Sequence, residues 1–150
     1  MKRILFLCSQ NACRSQIAEY FARALGDSSR LHVKSAGTDP AGVHPLTRTV
    51  MEERGISLAD ATSKTLDFDQ LDQWDMIITL CGDARDRCPV TPPKIEKRHW
   101  SIPDPARVQG DEAEKLAAFR EVREDIENRI HELLVEFNLL KTPRERRPGE

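Results

Sequence analysis

The run RILFLC at residues 3–8 is apolar at every position from Ile4 to Cys8. A strand with one face in water alternates polar and apolar residues; one that does not alternate is covered on both faces, as in a parallel sheet. The run is followed by IAEYFARAL, whose apolar residues recur at helical spacing. Strand, loop, then helix is the start of a crossover unit, because a parallel neighbour cannot be reached through a tight turn.

The rest of the chain repeats that alternation. A helix is predicted over 15–25, with Ile17, Tyr20, Phe21, Ala24 and Leu25 on one face and Gly26 as its stop. LHVKSAG at 31–37 reads as a second strand. HPLTRTVMEERG at 44–55 reads as a helix with Pro45 in its first turn and Gly55 past its end. DMIITLC at 75–81 and KIEKRHW at 94–100 read as third and fourth strands. A long final helix is predicted over 112–139, with Leu116, Phe119, Val122, Ile126, Ile130, Leu133 and Phe137 as a continuous stripe facing a sheet. These elements predict an α/β fold, a small doubly wound four-stranded parallel sheet with helices on both faces. One domain over residues 1–140 is expected, and KTPRERRPGE at 141–150, with two prolines and a glycine, is expected to be a disordered tail.

Composition narrows the partners. The formal net charge is −2, without the clustered basic excess that a nucleic acid or an anionic membrane surface requires. No apolar run approaches the roughly 20 residues that span a bilayer. The first strand begins within three residues of Met1, leaving no room for a signal peptide, so a cytoplasmic protein is expected. In that compartment the four cysteines are expected as thiols. Their spacing lacks paired knuckles with a matching histidine pair, and the histidines at 32, 44, 99 and 131 are scattered, so no metal site and no cofactor are assigned.

In open parallel sheets ligands bind beyond the carboxyl ends of the strands. Cys8, Cys81 and the loop after Trp100 all stand at such ends. The loop CSQNACRS, with Cys8 and Arg14 in C-x5-R spacing, points successive backbone N–H groups inward as an anion nest at the start of a helix. Substrate contacts are therefore expected from Ser9, Gln10, Asn11, Ala12, Cys13, Arg14 and Ser15. Arg14 adds a planar fork for two oxygens of a tetrahedral anion. The same field stabilises a Cys8 thiolate, Ser15 can donate to that sulfur, and Asn11 tolerates the left-handed backbone that braces such a loop. The bland alternative is a core cysteine beside a surface arginine.

CSQNACRS resembles the phosphate loop of the low-molecular-weight protein tyrosine phosphatases, which carry it at the first strand of such a fold. The resemblance makes Asp104, in SIPDPA, the matching general acid: a carboxylic acid that protonates the leaving oxygen. TLCGDARDRCPVTPP followed by HWSIPDPA, with SQIAE and SAG at 35–37, is similar to the thioredoxin-coupled arsenate reductases over roughly residues 3–137. That resemblance implies arsenate as substrate, phosphate or sulfate as its mimic, and Cys8, Cys81 and Cys88 as three redox thiols. Cys8 attacks arsenic, Cys81 attacks Cys8, and Cys88 attacks Cys81. A Cys81–Cys88 disulfide is left for thioredoxin to reduce. If GDARDRC at 82–88 begins as helix, residues seven apart stand about 10.5 Å apart along its axis. A disulfide needs Cα atoms within roughly 7 Å. Oxidation is therefore expected to melt residues 82–90. Cys13 is left out of the catalytic set, as a thiol packed beneath the loop.

Some relatives hold potassium near this loop, at positions matching Asn11, Glu19, Ser35 and an acid where this chain has Lys64; an ammonium there is expected to replace the ion. Two other readings compete. A tyrosine phosphatase needs only Cys8, Arg14 and Asp104, but Ala106 and Arg107 follow the Asp-Pro pair where a tyrosine often flanks the substrate, and Tyr20 is the sole tyrosine. A non-catalytic sensor binding trivalent arsenic or a soft metal through Cys8, Cys81 and Cys88 leaves Arg14 and Asp104 without a role. A monomer is expected.

Overall fold

The computed structural model describes residues 1–82 and 93–141, apart from the side chain of Phe68. Four strands, β1 (Lys2–Cys8), β2 (Leu31–Gly37), β3 (Met76–Thr79) and β4 (Glu96–His99), form one sheet in the order β2-β1-β3-β4. Every neighbouring pair is parallel, with Cys8 opposite Gly37, Leu7 opposite Thr79, and Thr79 opposite His99. The chain leaves β1 to one side for β2 and returns to its other side for β3. The C-terminal end of β1 is thus the point where the winding reverses, the place where such sheets open a crevice.

The doubly wound parallel fold expected from the apolar runs is the fold found. Ile4 and Phe6 enter one core with Met76, Ile78 and Leu80; Leu5 and Leu7 enter a second with Ile77, Leu66, Leu71 and Trp74. Both faces of β1 are therefore dry, and each such side chain contributes about 1.5–3 kcal/mol by leaving water. At the edges the sheet is polar. His32 and Lys34 alternate outward on β2, and Glu96 and Lys97 are exposed on β4, charges that discourage a further strand.

Three helices pack around the first core: α1 (Arg14–Leu25), α2 (Pro45–Glu52) and α3 (Glu112–Glu136). The inward face of α1 differs from the predicted one. Ile17, Ala18, Phe21 and Ala22 are buried, while Tyr20, Ala24 and Leu25 are only partly covered. The methyl-sized Ala18 and Ala22 let the helix settle closely, which rotates the larger rim residues outward. α1 ends at Gly26, whose backbone turns extended (φ −90°, ψ 155°), and only glycine fits there because an added Cβ would stand 2.6 Å from both the Ala22 carbonyl oxygen and Leu31. Asp111 caps α3 by accepting from the Glu114 N–H at 2.9 Å. The stripe of α3 is buried from Phe119 to Leu133, and the helix stops at Glu136, short of 139, because Asn138 turns left-handed (φ 55°). The second face of the sheet carries a short 3-10 segment, Phe68–Gln73, which the periodicity did not predict. Cys88 and most of the 82–90 segment, on which the unfolding expectation rests, lie outside the described residues, as do residues 142–150.

Candidate active site

β1 delivers Cys8 to the winding reversal, and the next five residues turn into α1. Their shape is set by what accepts and what donates. The carbonyls of Ser9, Gln10 and Ala12 take backbone N–H groups from Asp39 (2.7 Å), Ala41 (3.1 Å) and His44 (3.0 Å). Thr47 Oγ1 donates a second bond to Ala12 O at 3.0 Å, and Ser63 Oγ donates to Asn11 O at 2.8 Å. With its carbonyls occupied from outside, the loop keeps its N–H groups for the inner side, which is how an anion nest is built. Gly37 makes this possible: a Cβ there would lie 2.7 Å from Ser9 O and 2.9 Å from Asn11 N. The SAG of β2 is thus a seat for the loop.

Asn11 is the pivot. It is wholly buried with φ at 49°, a conformation asparagine accepts more readily than most residues. Its Oδ1 accepts from Gln16 Nε2 (2.9 Å) and from the Lys64 N–H (2.8 Å), which fixes the amide. Its Nδ2 then donates to Ser15 Oγ at 2.7 Å. Ser15 Oγ lies 2.8 Å from Cys8 Sγ, close enough to donate to that sulfur whenever the sulfur carries no proton of its own.

Arg14 opens α1 and reaches across the crevice. Its Nη1 donates to Ile102 O at 2.9 Å and to Leu80 O at 3.4 Å, tying the segments beyond β4 and β3 to the loop. Its Nη2 stands 3.7 Å from Asp104 Oδ2. Its Nε is buried without a partner among the described residues, a donor suited to an oxyanion oxygen. Asp104 caps the turn Pro105–Arg107 by accepting from the Ala106 N–H at 3.0 Å, and Arg107 Nε lies 3.6 Å from its Oδ2. A fifth of the Asp104 side chain is exposed, so solvent reaches its carboxyl group.

Ser9 is half-buried and Gln10 exposed at the rim, while Ala12, Cys13 and Ser15 are buried. Cys13 packs with Val50 and Phe119, and its Sγ lies 3.8 Å from Asp104 Oδ1. Burial, and next the nearby Cys8 and Asp104 charges, push its thiol up to about 12, with Arg14 opposing. It therefore keeps its proton at neutral pH. Cys81 is buried in the same apolar cluster as Cys8. Leu80 donates its N–H to Leu7 O at 2.9 Å, which sets the Cys81 segment directly alongside the end of β1. The structure thus gathers Cys8, the loop, Arg14, Asp104 and Cys81 at one edge of the sheet; Cys88 is outside the described residues.

Glu19 is 1% exposed and lies behind the loop. It accepts from Ser35 Oγ, and Arg23 (2.6 Å) and Lys64 Nζ (3.3 Å) face it. The ammonium occupies the place where the resemblance puts a cation. Sequence reasoning gave no role to Gln16, although it stands in SQIAE beside the loop, and missed Thr47, His44 and Ser63, which carry no motif and act from far along the chain.

The model of the low molecular weight phosphotyrosine protein phosphatase family matches residues 3–144. An arsenate reductase of Bacillus subtilis (strain 168) is 47% identical over 132 residues, covering 87% of this chain and 94% of its own length. Among solved structures, an arsenate reductase in the phosphate binding state superposes with a TM-score of 0.71 at 34% identity, over 91% of this chain and 98% of that one. A thioredoxin-dependent arsenate reductase of Corynebacterium glutamicum superposes with a TM-score of 0.73 at 31% identity, over 92% of this chain and 62% of that one. The loop at the winding reversal, its arginine and its acid therefore stand in a chain that belongs to the low molecular weight phosphotyrosine protein phosphatase family, among the relatives of the bacterial arsenate reductases.

Proposed function

We propose that this protein is an arsenate reductase, working as a single domain over residues 1–140 in the cytoplasm, with thioredoxin as electron donor. The observation that carries the reading is Cys8 with the Ser15 hydroxyl at 2.8 Å, in a loop whose carbonyls are bonded from outside and whose Arg14 bridges to the segment that bears Asp104. Its sequence kinship to an arsenate reductase supports the choice of arsenic over phosphorus.

Arsenate enters as a tetrahedral anion held by loop N–H groups and Arg14. The Cys8 thiolate forms a sulfur–arsenic bond while one arsenic–oxygen bond breaks; Asp104 gives that oxygen its proton, so it leaves as water. The Cys81 thiolate then attacks the Cys8 sulfur. The sulfur–arsenic pair of electrons returns to arsenic, which departs as arsenite, reduced by two electrons, and a Cys8–Cys81 disulfide holds the oxidising equivalent. Cys88 attacks Cys81, Cys8 leaves as thiolate, and the Cys81–Cys88 disulfide passes to the thioredoxin dithiol.

The test is arsenate-dependent NADPH oxidation in the presence of thioredoxin and its reductase, with Cys81→Ser and Cys88→Ser alongside. Turnover in the wild type, abolished in both variants with hydrolysis of aryl phosphates retained, is the expected result. Hydrolysis without NADPH use would make the protein a phosphatase relying on Cys8, Arg14 and Asp104.

A further inference from the structure

Cys13 takes no part in the relay, yet it is buried at the one place where the loop meets the acid. Two donors converge on the same oxygen of Asp104: the Ala106 N–H at 3.0 Å and the Cys13 thiol at 3.8 Å. The other oxygen, Oδ2, receives neither of these and faces the Arg14 fork at 3.7 Å and the exposed Arg107 Nε at 3.6 Å. The two oxygens are therefore not equivalent. We propose that Cys13 is a positioning residue for Asp104: its thiol, with the Ala106 N–H, holds Oδ1 as an acceptor and so leaves the transferable proton on Oδ2, on the side of the bound anion. The proposal rests on the reading of Asp104 as general acid.

The surroundings of Cys13 suit a donor that must never become an acceptor. It sits at the start of α1, wedged by Val50 of α2 and Phe119 of α3, with Leu46 and Leu116 completing the packing. An ionised sulfur there would repel Asp104 and compete for Arg14; burial keeps the proton in place. During turnover the proton passes from Oδ2 to the departing oxygen, which keeps the electron pair of the broken bond. Asp104 becomes a carboxylate, and solvent returns the proton, while Cys13 keeps its own. A thiol is a weak donor, so its effect is on orientation and is modest in size.

A double-mutant cycle tests this, with phenyl phosphate and p-nitrophenyl phosphate as substrates, since hydrolysis needs Cys8, Arg14 and Asp104 but no relay. Cys13→Ala is expected to slow phenyl phosphate, whose leaving group is the more basic, by about fivefold, and p-nitrophenyl phosphate less. In an Asp104→Asn background the same substitution is expected to cost nothing further. Cys13→Ser, which restores a donor, is expected to recover most of the loss; Cys13→Val serves in place of Ala should that variant not fold. Equal losses on both substrates, an undiminished cost in the Asp104→Asn background, or no rescue by serine would each overturn the proposal. Wild-type hydrolysis without arsenate turnover would overturn the reductase reading and leave this one standing. Should the wild type hydrolyse neither ester, the cycle is read on arsenate turnover, where the loss in Cys13→Ala, its disappearance in the Asp104→Asn background and its recovery in Cys13→Ser are the expected results and the absence of any of them overturns the proposal.

Discussion

The sulfur of Cys8 lies 2.8 Å from the hydroxyl oxygen of Ser15, and neither residue is more than 2% exposed. In so dry a place an ionised sulfur depends on whatever donors the fold can turn toward it, and Asn11 holds the Ser15 oxygen in place for that. Ser15→Ala removes the donor without enlarging the side chain. A hydrogen bond to a charged group contributes about 1.5–3 kcal/mol, so alkylation of Cys8 by iodoacetate at neutral pH should slow roughly tenfold or more. The thermal midpoint should move little. Unchanged alkylation would mean that the loop N–H groups alone hold the thiolate.

Gly37 controls the same loop from behind. A methyl group there meets Ser9 O at 2.7 Å and Asn11 N at 2.9 Å, and both are backbone atoms that cannot swing aside. Gly37→Ala should push the loop off β2, costing about 1–3 kcal/mol of stability. Phosphate or arsenate binding by calorimetry should fall more steeply than that loss implies, because the nest is distorted as well as strained. A variant that binds phosphate normally would show that the loop re-forms elsewhere.

Behind the loop, Lys64 stands 3.3 Å from a glutamate that is almost wholly buried. The wild-type enzyme is expected to work equally in potassium and in sodium, since an ammonium already neutralises Glu19. Lys64→Gln leaves that carboxylate to Arg23 and Ser35. It should lose about 1 kcal/mol or more of stability and acquire an activity that rises with potassium over sodium. The check is turnover in chloride salts of the two ions at equal ionic strength; a wild type strongly activated by potassium would overturn the account.

The parts of this site that sequence reveals are those made by neighbours in the chain. The apolar run ending in Cys8 fixes a buried strand, the polar loop and Arg14 follow within six residues, and the Ala- and Ile-bearing helix completes the unit. Asp104, Cys81 and Lys64 come from distant segments: strand order brings Cys81 and the loop after Trp100 to the edge that bears Cys8, while Asp104 and Lys64 are singled out only by family resemblance. The outer supports were invisible for a physical reason. Thr47 and His44 act through hydrogen bonds to the Ala12 carbonyl, a contact any polar residue at the start of a helix could make. The rotation of α1 was hidden too, because Ala18 and Ala22 bury little area and weigh lightly in periodicity. The 3-10 segment with Leu71 and Trp74 has too few apolar residues to show a period, yet covers part of the second face.

Cys13 gives the folded protein a dependence on alkaline pH. Its thiol is pushed from 9.0 up to about 12, first by burial and then by the charges of Cys8 and Asp104. The group binds its proton more tightly when folded than when unfolded. Below about pH 9 both forms are protonated and the contribution is fully present. Between about 9 and 12 the unfolded chain releases the proton and the folded one keeps it, so unfolding gains on folding as pH rises. Across the whole window that amounts to as much as about 4 kcal/mol. Tyr20, whose hydroxyl is also raised by burial, adds a dependence of the same sign, so the wild type alone does not isolate the effect. The difference between wild type and Cys13→Ser does. Urea unfolding at about pH 8 and again near pH 10.5 should show the wild type losing more stability than the variant over that interval. Parallel losses would mean that the Cys13 thiol ionises as readily in the folded protein as in the open chain, and that its packing between Val50 and Phe119 is looser than the structure has it.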